Sequence, residues 1–123
     1  MAPYDTGWIN RSDWTNVHLG STTTKDTDSN VAHNLNAPLY KLFVKVLVST
    51  DGTDNNSFDI LNQQVYFGGV DVARYGMQVY QVDSNNIKVQ TAANGIIILD
   101  DNGIHTVVDS QDWYYKVRVY YLG

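Results

Sequence analysis

The sequence predicts an all-β domain, a sandwich or a barrel built from many short strands that are separated by turns. Two compositional observations favour strands over helices: Val and Tyr are common, and every acidic residue is Asp, since Glu does not occur. Asn, Asp and Gly, which set tight turns, are abundant between the apolar runs. The third observation is periodicity, because apolar residues recur every second residue and no window sustains the spacing of an amphipathic helix.

Period-two alternation is clearest in two segments. In the segment from Lys41 to Ser49, one face is apolar and the other carries Phe43, Lys45 and Leu47. In the segment from Trp113 to Tyr121, an apolar stripe alternates with an aromatic and cationic face of Tyr114, Lys116, Arg118 and Tyr120. Each segment therefore predicts a strand with one face in the core and a second face of mixed chemistry.

Shorter strands are predicted between turn signals of the Asp-Asn-Gly type. The turn Asp101-Asn102-Gly103 separates two of them, and Gly95 to Leu99 is a fully apolar run that indicates a buried strand. Residues 77–82 and 87–91 form a predicted hairpin. The remaining predicted strands are 6–10, 14–19, 29–35, 58–67 with an interruption, and 104–108.

Length and charge restrict the class of protein. The 123 residues predict one domain over 1–123, which we expect to be a domain cut from a longer chain. The net charge of -5 with scattered basic residues disfavours nucleic acid as a partner. No apolar stretch reaches the ~18 residues of a membrane span, so no membrane insertion is expected. Cysteine is absent, which excludes disulfides and thiolate metal sites.

No set of residues has the spacing of a catalytic or metal site. His18, His33 and His105 lie far apart, and no nucleophile-elbow motif occurs. The Asp residues stand mostly in turn-like sequences rather than as a pair flanking a cleft. We therefore predict that the protein is not an enzyme and has no cofactor. The segment Asp51 to Asn56 could supply oxygen ligands to Ca²⁺, but a strand-connecting turn is the favoured interpretation.

The aromatic residues carry more information about binding. Trp8 follows a glycine in a predicted strand and is expected in the core, whereas Trp14, Trp113 and several Tyr are candidates for an interface or a ligand. Aromatic rings with polar tips stack on the apolar faces of sugars and on partner subunits.

The order of several motifs resembles a known family. Gly7-Trp8 opens the domain, His33-Asn34-Leu35 is followed by Pro38, and Tyr80-Gln81-Val82 precedes the closing strand of Tyr114 to Tyr121. This order resembles the small C-terminal domains of bacteriophage tail fibres and adhesin tips, and it is similar to the H-type lectins. The resemblance implies an antiparallel β-sandwich of about six core strands, H-type-lectin-like and assembled as a homotrimer, with sugar bound near the trimer rim. It also implies that residues 1–123 are the C-terminal piece of a longer fibre protein. The Trp-His pair of the lectin sugar loop is not found here, where Ala93-Asn94-Gly95 stands instead.

The leading hypothesis is a homotrimeric fibre-tip or adhesin domain that binds cell-surface carbohydrate, on a virion tail fibre or an extracellular fibre tip. Two alternatives stay open: a structural trimerisation module without a ligand, and, least favoured, a glycan-cleaving enzyme. The Phe43, Lys45 and Leu47 face or the Tyr114 and Tyr120 face is expected near the threefold axis. The predicted ligand-binding residues are Arg74, Asp101, Asn102, His105 and Trp113.

Overall fold

The computed structural model describes residues 2–10, 31–60, 64–67, 73–92, 96–99, 101–108 and 113–123. Within these ranges the chain forms antiparallel strands and two short 3₁₀ turns, with no α-helix. The predicted all-β, sandwich-like architecture is therefore confirmed. The strands are β1 Tyr4–Asp5, β2 Ile9–Asn10, β3 Val31–Ala32, β4 Leu42–Ser49, β5 Ser57–Ile60, β6 Gln64–Phe67, β7 Ala73–Asp83, β8 Asn86–Thr91, β9 Ile96–Leu99, β10 His105–Val108 and β11 Tyr114–Tyr121.

The two strongly alternating segments form the centre of a five-stranded sheet. Strands β4 and β11 pair along their whole length, from Tyr114 opposite Ser49 to Tyr121 opposite Leu42. Strand β5 lies beyond β4, and β1 and β2 lie along the other edge of β11. Alternate residues of both strands are buried, as the period-two pattern predicts.

A four-stranded sheet in the order β3-β8-β7-β6 contains the predicted hairpin. Strands β7 and β8 are joined at Ser84 and Asn85, and the loop after β3 is bound to this turn by the N–H of Asn34 and the N–H of Ala37. Asn34 and Asn36 adopt positive φ in this loop, which Asn tolerates better than most residues.

The buried histidine of this loop is His33, of which only 3% is exposed. Its Nδ1 accepts the backbone N–H of Leu35 at 3.0 Å, and its Nε2 has no hydrogen-bond partner among the described residues. Burial lowers the pKa of His33, and the nearby charge of Asp83 opposes that shift. The neutral imidazole is therefore the form that the fold favours.

Strands β9 and β10 form a separate two-stranded ribbon closed by the Asp101-Asn102-Gly103 turn, with Gly103 at φ 78°. The strand predicted over Gly95 to Leu99 is confirmed from Ile96, but its predicted burial is wrong at the far end. Ile96 is fully buried, whereas 66% of Leu99 is exposed. The base of the two-stranded ribbon packs against the core, and its tip lies in solvent.

One hydrophobic core joins the inner faces of the sheets. It includes Val46 and Val48 of β4, Val117 and Val119 of β11, Ile87 and Val89 of β8, and Ile96 and Val108 of the ribbon. Each of these side chains is at most 1% exposed. Burying a Val or Ile side chain contributes about 1.5–3 kcal/mol before conformational entropy is subtracted, so this layer holds the sheets together.

The shorter predicted strands are confirmed in part. Of the segment predicted over 6–10, only Ile9–Asn10 is a strand. A second short strand, Tyr4–Asp5, precedes the segment, and Gly7 at φ 72° lies between the two. The strand predicted over 29–35 is limited to Val31–Ala32 in the described chain. Strands β5 and β6 occupy the ends of the segment predicted over 58–67. The strand predicted over 14–19, with Trp14 and His18, lies outside the described residues, as does the Ala93-Asn94-Gly95 stretch.

Candidate functional site

The outer face of the five-stranded sheet is formed by the residues of β4 and β11 that alternate with the core residues. In register across the two strands, Lys116 lies opposite Leu47, Arg118 opposite Lys45, and Tyr120 opposite Phe43. This outer face divides into two parts of different chemistry. The polar end comprises Trp8, Asp54, Tyr114 and Lys116, and the apolar end comprises Tyr40, Phe43, Tyr120, Tyr121 and Leu122.

At the polar end, one carboxylate is held by two donors from distant parts of the chain. The indole Nε1 of Trp8 donates to Oδ1 of Asp54 at 2.9 Å, and Nζ of Lys116 donates to the same oxygen at 3.3 Å. The same ammonium lies 4.8 Å from the centre of the Trp8 ring. The indole N–H, and then the Lys116 ammonium, hold the pKa of Asp54 below its usual value.

Asp54 presents this carboxylate to solvent because its neighbours orient it without covering it. Its side chain is 81% exposed, whereas that of Lys116 is only 15% exposed. A charged acceptor that is fixed in direction and open to solvent can accept a hydrogen bond from a ligand hydroxyl or amide. A half-buried indole lies beside it, so the polar end combines an aromatic surface with a hydrogen-bonding group.

The loop between β4 and β5 fixes the position of Asp54. The buried hydroxyl Oγ of Ser49 accepts the backbone N–H groups of Gly52 at 3.0 Å and Thr53 at 3.2 Å. Gly52 has φ 77°, and a Cβ at this position would lie 3.1 Å from the Tyr114 ring. The loop therefore packs backbone directly against the ring of Tyr114, in a conformation and at a distance that favour glycine.

The same loop contains the predicted alternative calcium ligands. Oδ1 of Asp51 accepts the N–H of Thr53 at 3.0 Å and its hydroxyl at 2.6 Å, and Oδ2 accepts the side-chain amide of Asn56 at 2.6 Å. The Thr53 hydroxyl, followed by the Asn56 amide, lowers the pKa of Asp51. The segment from Asp51 to Asn56 connects β4 to β5, as predicted. The Asp51 carboxylate accepts its hydrogen bonds from residues of this same loop. Over the described residues, no cluster of three or more His or Asp could hold a metal ion.

Between the two ends, two cations face each other directly across β4 and β11. Arg118 lies opposite Lys45, a like-charged pair that would be destabilising on its own. Each cation forms an ion pair with an aspartate. Nη1 of Arg118 donates to Oδ2 of Asp5 at 3.1 Å, and Nζ of Lys45 lies 3.2 Å from Oδ2 of Asp59. The middle of the outer face is therefore charged but locally balanced.

The apolar end exposes large side chains, and among the described residues no comparable hydrogen-bonded network covers them. Phe43 is 52% exposed and its ring centre lies 5.9 Å from that of Tyr120. Leu122 is 63% exposed and Tyr40 80% exposed. A shallow depression of about 380 Å³ is lined by Phe43, Lys45, Tyr120, Tyr121 and Leu122. Contiguous exposed apolar surface of this kind is typical of a contact with another macromolecule.

The predicted ligand-binding residues are distributed over all three sheets. Arg74 is in β7, where it pairs with Tyr66 of β6, and His105 is in β10, where it pairs with Leu99. Asp101 and Asn102 are exposed in the turn of the ribbon. Trp113 precedes β11 and packs on the core, with its ring centre 6.0 Å from that of Phe58. That these five residues form one rim stays a prediction.

The residues of the polar end were missed by the sequence. Trp8 was expected in the core, and this prediction is wrong, because its half-buried ring lies on the outer face beside Lys116. Asp54 is one of several aspartates in turn-like sequence, and it is 62 residues from Lys116. The alternation correctly placed Lys116 on the second face of the last strand, but its partner Asp54 is positioned by the loop between β4 and β5, which the alternation does not describe.

Comparison with known proteins gives no relative: no protein-family model, curated protein or solved structure matches the chain. Among the described residues, no helix is long and apolar enough to span a membrane.

Proposed function

We propose that the protein is a homotrimeric fibre-tip or adhesin domain that binds cell-surface carbohydrate through the outer face of its five-stranded sheet. The observation that carries this proposal is the Trp8–Asp54–Lys116 cluster, a solvent-facing carboxylate fixed beside an indole. Sugars are bound by aromatic stacking together with charge-assisted hydrogen bonds to hydroxyl groups, and the polar end supplies both.

The apolar end supports the trimeric part of the proposal. Phe43 and Leu122 expose more than half of their surface in the single chain, and their burial between subunits would remove that surface from water. Self-association at the apolar end leaves the polar end free for ligand. Weak individual sugar sites would then act together, because three sites on one particle raise the effective concentration of the second and third contacts.

A glycan array probed with the labelled oligomer tests the proposed site. We expect Asp54→Asn to lose most of the signal, because the amide lacks the charge that strengthens the hydrogen bond to a hydroxyl. Asp59→Asn is the matched control, since Asp59 is also an exposed, ion-paired aspartate of this sheet but lies away from the polar end. Equal signal from Asp54→Asn and the wild type would reject the polar end as the binding site.

The same array separates this site from the rim predicted from sequence. Trp113→Ala and Asp101→Ala should retain binding if the polar end is the site, and they should lose it if the rim is. An oligomeric wild type that gives no signal on the array would favour the purely structural module instead.

A further inference from the structure

The loop that follows β3, residues 33–39, is attached to the end of the β7–β8 hairpin through its own backbone. Four of its N–H groups donate to oxygens of the hairpin at 2.8 to 3.2 Å, and the donors are Asn34, Asn36, Ala37 and Leu39. The acceptors are Gln81, Ser84 and Asn85. Because Asn34 and Asn36 adopt positive φ, which residues other than glycine rarely populate, the loop conformation depends on these bonds.

His33 fixes the first turn of this loop. Only 3% of the residue is exposed, and its Nδ1 accepts the backbone N–H of Leu35 at 3.0 Å. The side chain thus bonds the backbone two residues further on, as Asn and Asp side chains do in Asx turns. Nδ1 can accept only while it carries no proton, since both ring nitrogens of the charged form are donors. Protonation therefore replaces the hydrogen bond to Leu35 by two N–H groups that face each other.

The charges near His33 give a protonated ring little compensation. Asp83, at the end of β7, is the described charged group that acts on the ring, and burial lowers the pKa of His33 more than this charge raises it. Oδ1 of Asp83 already accepts the N–H of Asn85 and the side-chain amide of Asn86, each at 2.8 Å. Lys88 of β8 alternates with the core residues of that strand, so it points to the other face of the sheet.

The far end of the loop leads directly into the apolar end of the outer face. The N–H of Lys41 donates to the carbonyl of Pro38 at 2.9 Å, and the carbonyl of Lys41 accepts the N–H of Leu122 at 2.8 Å. Tyr40, which is 80% exposed, lies in the same 3₁₀ turn as Lys41. A loop that leaves the hairpin therefore displaces Pro38 and, through it, the Lys41 carbonyl that positions Leu122.

We propose that His33 is an acid-sensitive switch: when its ring is protonated, the 33–39 loop detaches from the β7–β8 hairpin and the bond between Lys41 and Leu122 at the apolar end loosens. The sheets stay paired, because no strand lies within residues 33–39. The switch acts on the surface that we propose as the subunit contact, but it is a property of the single chain and does not depend on carbohydrate binding.

The direction of the pH response follows from burial. The attached loop holds the neutral ring of His33, whereas a detached loop exposes the ring to water, where it titrates at its ordinary pKa of 6.5. Detachment is therefore favoured as the pH falls below 6.5, and it stops increasing below the folded pKa. Asp83 titrates outside this window, because the N–H of Asn85, followed by the amide of Asn86, holds the pKa of Asp83 below 3.8.

Amide hydrogen exchange followed by NMR between pH 7.5 and pH 3.5 tests the switch. After correction for the intrinsic pH dependence of exchange, the protection of the Asn34, Ala37 and Leu122 amides should fall by about fivefold to tenfold, the change expected from one lost hydrogen bond. The fall should begin near pH 6.5 and level off where NMR shows the folded His33 ring to titrate. The Val117 amide, which is bonded within the five-stranded sheet, is the reference and should not change.

His33→Asn separates the switch from a general effect of acid. The Asn side-chain oxygen can accept the Leu35 N–H in an Asx turn and does not titrate, so the loop should stay protected over the whole range. His105→Gln, which removes a histidine from the ribbon, is the matched control and should behave like the wild type. Loop protection that falls equally in the wild type and in His33→Asn would overturn the proposal, as would a fall of equal size at Val117.

The wild type alone decides the matter if His33→Asn does not fold. Loop protection that is constant with pH, or that falls only below about pH 4.5, where carboxyl groups titrate, would overturn the proposal. A Leu122 amide that keeps its protection while Asn34 and Ala37 lose theirs would overturn the link between the loop and the apolar end.

Discussion

The polar end and the apolar end of the outer face differ in whether their side chains have hydrogen-bond partners or remain exposed to solvent. At the polar end, Asp54 accepts from both Trp8 and Lys116, so an aromatic ring and a cation are held within one hydrogen-bonded cluster. At the apolar end, Phe43 and Tyr120 contact each other but Phe43 remains half exposed. The same two strands supply both ends. One sheet face can therefore provide both a preorganised polar cluster and an exposed apolar surface. On β11 the two are separated by a single outward-facing residue, Arg118, which lies between Lys116 and Tyr120.

The largest effect is expected from the apolar end. Phe43→Ser should reduce the proposed trimer to single chains, because it removes the aromatic ring of β4 from the proposed subunit contact. Leu99→Ser is the control, since it removes an apolar side chain of similar exposure from the distant ribbon. Sedimentation velocity measures both, and an unchanged oligomer in Phe43→Ser would place the contact elsewhere.

The next effect concerns the loop that positions the polar end. Gly52→Ala should destabilise the fold by about 2–3 kcal/mol, because it combines the cost of a left-handed backbone conformation with a clash on Tyr114. Gly103→Ala is the matched control: its φ is similar, but no atom lies within 4 Å of the added Cβ, so about 1–2 kcal/mol is expected. Urea unfolding of the two variants checks this, and equal losses would mean that the Tyr114 contact is unimportant.

A smaller effect is expected near neutral pH from a region outside both ends. Burial holds the folded pKa of His33 below 6.5, so the unfolded chain binds more protons between the folded pKa and 6.5. Stability contributed by His33 is therefore complete above 6.5 and decreases as the pH falls through that window. Thermal melts from pH 8 to pH 5 should show this decrease in the wild type and not in His33→Gln. An identical slope in both would assign the response to other groups.

The smallest effect is expected in the titration of Asp54. Its folded pKa lies below the usual 3.8, so its contribution to stability is present above 3.8 and is lost as the pH falls through the folded value. Trp8→Phe removes the indole donor while keeping a ring, and it should raise the pKa of Asp54 towards the ordinary value. NMR titration of the Asp54 carboxyl carbon measures the shift. An unchanged pKa would show that the indole does not hold the carboxylate in solution.

The sequence predicted the parts of the fold that depend on local pattern. Alternation identified β4 and β11 and their buried faces, and Asp101-Asn102-Gly103 identified the ribbon turn. It could not predict the outer face, because the partners there come from distant positions: Arg118 binds Asp5 across 113 residues. The error at Trp8 has the same origin. A glycine and an aromatic residue in a strand-like segment are equally consistent with the core and with a ring lying across an adjacent lysine.

The mass of the wild-type protein in solution tests most directly the claim that the two ends have different roles. Light scattering coupled to size exclusion should give three times the chain mass of 13.8 kDa at micromolar concentration. That result is expected because the apolar end exposes Phe43 and Leu122 and no other described residue of the single chain covers them. A mass of 13.8 kDa at the same concentration would contradict the account, since the exposed rings of the apolar end would then face solvent in the functional protein.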